Sequence, residues 1–249
     1  MDIVAITALG VGGATVIGAI IGFLFGDLSG KYADGALSFA AGVMLSAAYS
    51  GLILPSLDSG GIAAIPITVI GILSGAVAIR LIDLVLKRIL PGKTFGGANG
   101  DGKNRLLFVL AIAIHNLPEG IAAGVAFGTD NARTALACAI GIALQNIPEG
   151  MVIISPMVGA GVSRARAFFY ALMTGVVEVV GTFIGYFAVN VATAALPFAL
   201  SFAAGTMLFV IVDEMVPETH SGGNGHVSTG SFIVGFCFML MFSELISGI

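Results

Sequence analysis

Eight apolar stretches, each long enough to cross a bilayer, leave this chain few architectures. They run over about 3–26, 35–57, 62–90, 104–128, 132–157, 165–190, 192–217 and 227–248, and a spanning helix needs roughly 20 mostly apolar residues. A membrane barrel would show ~10-residue alternating segments instead, and none occur. The reading is an all-α polytopic membrane protein, with residues 1–249 as a single transmembrane domain in the lipid bilayer. Composition agrees. Charged residues make up 10% of the chain, against roughly 25% in soluble domains, too few to cover a soluble surface. A cytosolic enzyme and a nucleic-acid binder are therefore excluded. Met1-Asp2-Ile3 carries no basic n-region, so the first stretch reads as a span rather than a cleaved signal. Cys138 and Cys237 sit in separate apolar stretches and read as core thiols.

Lys and Arg orient the spans. Loops 1–2, 3–4, 5–6 and 7–8 share one side, which holds Lys31, Lys87, Arg88, Lys93, Lys103, Arg105, Arg164 and Arg166; the other side holds Arg133. The positive-inside rule makes the basic side cytoplasmic and puts both termini outside. Two polar connections, Pro91 to Lys103 and Glu218 to Ser228, read as flexible Gly-rich loops. Glycines recur at intervals of four: Gly18, Gly22 and Gly26; Gly71 and Gly75; Gly120, Gly124 and Gly128; Gly181 and Gly185. Such ridges let helices approach closely, inside one bundle or across a dimer seam.

The chain also repeats itself. His115-Asn116-Leu117-Pro118-Glu119-Gly120 in the fourth span is echoed by Gln145-Asn146-Ile147-Pro148-Glu149-Gly150 in the fifth. Phe39-Ala40-Ala41-Gly42-Val43-Met44-Leu45 in the second is echoed by Phe202-Ala203-Ala204-Gly205-Thr206-Met207-Leu208 in the seventh. This mirror order predicts a 3+2+3 inverted repeat, the architecture of a transporter with its site at the midplane.

Ionisable groups at that depth cost several kcal/mol each and mark function. His115, Glu119, Glu149 and Glu178 occupy it with Gln145, Asn116 and Asn146, and Asp213 and Glu214 lie deep in the seventh span. No Lys or Arg reaches the zone; Arg80 has its own acid, Asp83. His115 and Glu119 share a helix face, as do Gln145 and Glu149. One imidazole, three carboxylates and several amide oxygens suit a borderline divalent metal such as Zn²⁺, Fe²⁺ or Mn²⁺. Pro118 and Pro148 each remove an N–H, freeing the carbonyls of Ile114 and Leu144. A proton-coupled transporter of another solute is the alternative reading. An intramembrane metalloenzyme is disfavoured, because H-E-x-x-H and E-x-x-H are absent and His220 and His226 fall in the 7–8 loop.

These motifs resemble the signatures of the ZIP (Zrt-, Irt-like protein) divalent metal transporters, the fifth-span form being similar to that of the bacterial GufA-like branch. The resemblance implies zinc uptake into the cytoplasm across the cell (inner) membrane, with Cd²⁺, Fe²⁺ and Mn²⁺ as other candidate ions and no organic cofactor. It implies a binuclear centre. Met44, His115, Glu119, Gln145 and Glu149 would form one position; Asn116, Glu119, Asn146, Glu149 and Glu178 would form the other. It further implies a homodimer and an elevator-like motion of spans 1, 4, 5 and 6 against 2, 3, 7 and 8. Asp58 matches an entrance acid. Asp213 and Glu214 match the start of an exit route, continued by Glu218 and His220. Two departures stand out. Gln145 replaces a His common in the family, and Pro91 to Lys103 has no His.

Overall fold

The computed structural model describes residues 2–25, 30–59, 61–89, 116–129, 131–159, 162–191 and 193–247. Every regular element among them is helical. Seven of these helices are long and apolar enough to cross a membrane, which makes the chain a multi-pass membrane protein. The first span is α1, Asp2–Phe25. The second is α2, Lys31–Ala48, continued through a π-helical turn, Tyr49–Ile53, into α3, Leu54–Asp58. Next come α4, Ala64–Ile89, and α5, residues 116–126. Residues 104–115 of the expected fourth span, His115 included, lie outside the described residues, as do Gly26 and the expected loop Pro91 to Lys103. Then follow α6, Ala132–Gly159, and α7, Arg164–Val191. Asn131 starts α6 by accepting the N–H groups of Arg133 and Thr134 at 3.1 and 3.2 Å. The expected seventh span is α8, Leu196–Val210, a second π-helical turn, Ile211–Met215, and α9, Val216–Ser221. The last is α10, Gly225–Ser247.

The π-helical turns have a common origin. Each is followed, two residues on, by a proline: Pro55 after Ile53 and Pro217 after Met215. A proline ring crowds the carbonyl four residues back. The helix accommodates this by widening one turn, so that Leu54 N–H reaches Tyr49 O and Val216 N–H reaches Ile211 O. The seventh span therefore continues past Pro217 instead of stopping near it. This corrects the sequence expectation for Glu218 to Ser228. Glu218 and His220 are helical, and the turn between α9 and α10 shrinks to residues 222–224, where Gly223 takes a positive φ of 80°. Ser228 Oγ donates to Thr219 O at 2.7 Å and locks it. A second correction concerns Cys237, which is exposed on α10, while Cys138 is buried as expected.

Two groups of helices emerge. In one, α6 and α7 pack on α1, and α5 packs on α7; in the other, α2 packs on α10 and α4 on α8. The groups meet where α6 crosses α2 and α10, over a core rich in small side chains: Ala40, Ala41 and Ala48 against Ala122, Ala126, Ala135 and Ala139. The described glycines of the four-residue ridges pack inside the chain. A Cβ on Gly18 would lie 2.1 Å from Ile147 O, on Gly22 2.5 Å from Met151 O, on Gly75 2.1 Å from Phe202 O, and on Gly124 2.0 Å from Thr182 O.

These crossings come in matched pairs. Gly42 and Gly235 bind α2 to α10 over Phe232 O and Phe39 O; Gly205 and Gly75 bind α8 to α4 over Ile72 O and Phe202 O. Gly150 and Gly18 bind α6 to α1 over Thr15 O and Ile147 O; Gly120 and Gly181 bind α5 to α7 over Glu178 O and Leu117 O. Each α1 or α2 position maps onto α7 or α8 at the separation of 163 that also divides Thr15 from Glu178. Contacts between ends fall on two sides. Asn224 donates to Asp34 at 2.8 Å and Phe23 meets Phe168 at one end; Ser56 donates to Pro197 O at 2.7 Å and Gly128 meets Leu196 at the other.

Candidate metal site

The polar residues that the sequence reading puts at the midplane come together from three helices among the described residues. α5 supplies Asn116 and Glu119, α6 supplies Gln145, Asn146 and Glu149, and α7 supplies Glu178. Of these, Asn116, Glu119, Gln145, Asn146 and Glu178 are buried, at most 2% exposed, and Glu149 is partly buried. α6 runs unbroken through Pro148. Glu119, Glu149 and Glu178 lie close enough to interact electrostatically. Among the described residues, His, Cys, Asp and Glu alone do not form a group of three placed to hold a metal. The donor set here is mixed, with amides between the carboxylates.

Glu178 is the most elaborately held. Its Oε1 accepts from Asn116 Nδ2 and from Thr15 Oγ1, the latter at 2.7 Å, and its Oε2 accepts from Asn146 Nδ2 at 2.6 Å. Asn146 Nδ2 also donates to Val11 O at 3.2 Å. Among the described residues, other buried atoms have no hydrogen-bond partner: Glu119 Oε2, Asn146 Oδ1, and both Oε1 and Nε2 of Gln145. Gln145 nevertheless lies beside the Glu119 carboxylate, without hydrogen-bonding geometry. A buried polar atom without a partner costs about 1–3 kcal/mol. Three oxygens in that condition on two adjoining helices fit a bound cation, which would take their lone pairs.

The other candidates are spread out. Met44 is buried in the core shared by α2, α5 and α6. Asp58 ends α3 and is exposed. Asp213 and Glu214 sit in the second π-helical turn, Asp213 exposed and Glu214 partly so. Glu218 and His220 are exposed on α9, where His220 meets Val216 O at 2.8 Å and Thr229 at 3.1 Å. Arg80 pairs with Asp83 at 3.2 Å, so it leaves the central acids alone, as the spacing suggested. The residue that sequence reasoning missed is Thr15. Its signal was the 163-residue register of the Phe-Ala-Ala-Gly repeat, which places Thr15 opposite Glu178 when carried back into the first span.

The family model described as ZIP Zinc transporter matches residues 103–243. Zinc transporter GufA of Myxococcus xanthus is 35% identical, over 95% of this chain and 96% of its own length. The chain belongs to the ZIP zinc transporter family. Zinc transporter ZIP11 of Homo sapiens is 32% identical over 92% of both chains. Zinc transporter ZupT of Chlorobaculum parvum is 33% identical over 91% of both. ZIP membership sets aside the metalloenzyme reading, since this is a transporter family. Both N-x-P-E-G motifs of this ZIP chain, and Glu178, fall within the matched segment.

Proposed function

We propose that this protein carries Zn²⁺ across the cell membrane into the cytoplasm, through a binuclear centre at the midplane. His115, Asn116 and Glu119 of the fourth span, Gln145, Asn146 and Glu149 of the fifth, Glu178 of the sixth and Met44 of the second form it. The observation that carries this reading is the set of buried oxygens of Glu119, Gln145 and Asn146, beside Glu178, that have no hydrogen-bond partner among the described residues. His115 adds the imidazole that makes the set better for zinc than for harder cations. Zinc transport by the named relatives supports the choice of ion. Cd²⁺, Fe²⁺ and Mn²⁺ are the competing ions.

The architecture proposed is eight spans in a 3+2+3 inverted repeat, with both termini outside. Support comes from the matched glycine crossings, from the π-helical turns in spans two and seven, and from the bias of basic residues. The carrier mechanism is an elevator. α1, α5, α6 and α7 move as a body past α2, α4, α8 and α10, over the alanine-rich contact between the groups. Asp58 receives the ion outside; Asp213, Glu214, Glu218 and His220 lead it away. The working unit is a homodimer. Zinc flux into proteoliposomes, with Cd²⁺, Fe²⁺, Mn²⁺ and Mg²⁺ as competitors, tests the function. Saturable zinc uptake, insensitive to Mg²⁺ and competed by Cd²⁺, is expected; flux no greater than in empty liposomes overturns it.

A further inference from the structure

The packing of α1 gives it a place in the metal site that neither the motifs nor the family signature assigns. Gly12 of α1 faces Gly175 of α7 across a tight crossing, where a Cβ on either would lie 2.3–2.5 Å from the other's carbonyl oxygen. One turn on, Thr15 faces Glu178. Gly150 of α6 closes on Thr15 O as Gly120 of α5 closes on Glu178 O, at 2.2 and 2.3 Å. Thr15 therefore holds on α1 the place that Glu178 holds on α7. Both are fully buried, and they meet through a 2.7 Å hydrogen bond. A hydroxyl in a spanning helix commonly bonds back to its own backbone, as Thr174 and Thr182 do on α7. Thr15 bonds across instead.

The consequence is one of lone pairs. A carboxylate oxygen has two. Oε1 of Glu178 receives both Asn116 and Thr15, and Oε2 receives Asn146 alone. Oε1 is saturated and Oε2 keeps one acceptor site. A carboxylate so held offers one oxygen to a cation. Small Zn²⁺, which prefers few and short bonds, suits such a ligand; a larger cation gains more from two.

We propose that Thr15 is a specificity-determining residue of this site: its hydroxyl fills Glu178 Oε1, limits that carboxylate to one-oxygen coordination, and thereby favours Zn²⁺ over larger divalent cations. The proposal rests on the reading of Glu178 as a metal ligand, so the test includes both residues. The purified full-length protein is titrated with Zn²⁺ and with Cd²⁺ by equilibrium dialysis. Thr15→Val keeps the volume and removes the hydroxyl; Thr15→Ser keeps the hydroxyl and removes the methyl. The expected result is a Zn²⁺-to-Cd²⁺ affinity ratio about tenfold lower in Thr15→Val, the size usual for partners of a metal ligand, with Thr15→Ser close to the parent. Where Thr15→Val does not fold, Thr15→Ala against Thr15→Ser makes the same comparison. Glu178→Ala is expected to lose one bound metal per subunit. A parent-like ratio in Thr15→Val, or an equal change in Thr15→Ser, overturns the role of the hydroxyl while a loss of metal in Glu178→Ala keeps the site. Unchanged metal binding in Glu178→Ala overturns the site itself, and the proposal with it.

Discussion

Adjacent glycines of α1 should respond unequally to the same substitution. In Gly12→Ala the new methyl meets Gly175 O at 2.3 Å and Val179 Cγ2 at 2.8 Å; in Gly13→Ala it meets nothing within 4 Å. Reaching even the 3.4 Å edge of ordinary contact requires α1 and α7 to separate by about 1.1 Å, because two backbones cannot rotate away as side chains can. Thr15 and Glu178 lie one turn along the same crossing. The same shift would stretch their bond from 2.7 Å to about 3.8 Å, past hydrogen-bonding range. Overpacking of this kind costs about 1–3 kcal/mol. Lost support of a metal ligand should weaken zinc binding by about tenfold or more. Thermal unfolding and zinc titration of the purified protein measure the two effects. Gly12→Ala should unfold at a lower temperature and bind zinc more weakly, and Gly13→Ala should match the parent in both. Equal behaviour of the two variants refutes the close α1–α7 crossing.

Gln145→His adds a second imidazole beside Glu119 and should raise zinc affinity; a parent-like titration argues against Gln145 as a ligand. Zinc retention should fall between about pH 7.5 and pH 5.5, because carboxylate and imidazole ligands bind metal only when deprotonated; equal retention at both values contradicts a site of this chemistry. In detergent, a maleimide should label Cys237 and spare Cys138, since the first is exposed and the second buried; the reverse pattern contradicts the packing of α6 and α10. For topology, an impermeant reagent applied to intact cells should label Asn131→Cys and leave Gly97→Cys unmodified, and the opposite result inverts the orientation.

Much of this was legible in the residues. Spans follow from runs of apolar side chains, and among the described residues seven helices are long and apolar enough to cross a membrane. The polar cluster was legible because N-x-P-E-G occurs twice, once in each of two neighbouring apolar stretches. Glu119, Asn116, Gln145, Asn146 and Glu178 do meet. Two things escaped. A proline in an apolar stretch reads as a kink or stop, yet Pro55 and Pro217 are absorbed by one widened turn each, and the second carries Glu218 and His220 into a helix. Thr15 escaped because a lone hydroxyl in a helix has a cheap local partner in its own backbone. Its reach to Glu178 depends on how closely Gly12 and Gly175 let the helices approach, a property of the pair. The four-residue glycine ridges allowed a dimer seam or internal packing, and periodicity alone could not distinguish them.

In the proposed mechanism a cation crosses by way of the carboxylate shared between the two proposed metal positions. The most direct measurement is initial zinc flux into proteoliposomes holding equal amounts of parent or Glu119→Ala protein, with Gly13→Ala as the inert control. Glu119 is buried on α5, with one oxygen lacking a hydrogen-bond partner among the described residues, beside Gln145 and within electrostatic reach of Glu149 and Glu178. Flux through Glu119→Ala should drop to the level of empty liposomes while Gly13→Ala transports like the parent. Near-parental flux through Glu119→Ala would show that the ion crosses without this carboxylate.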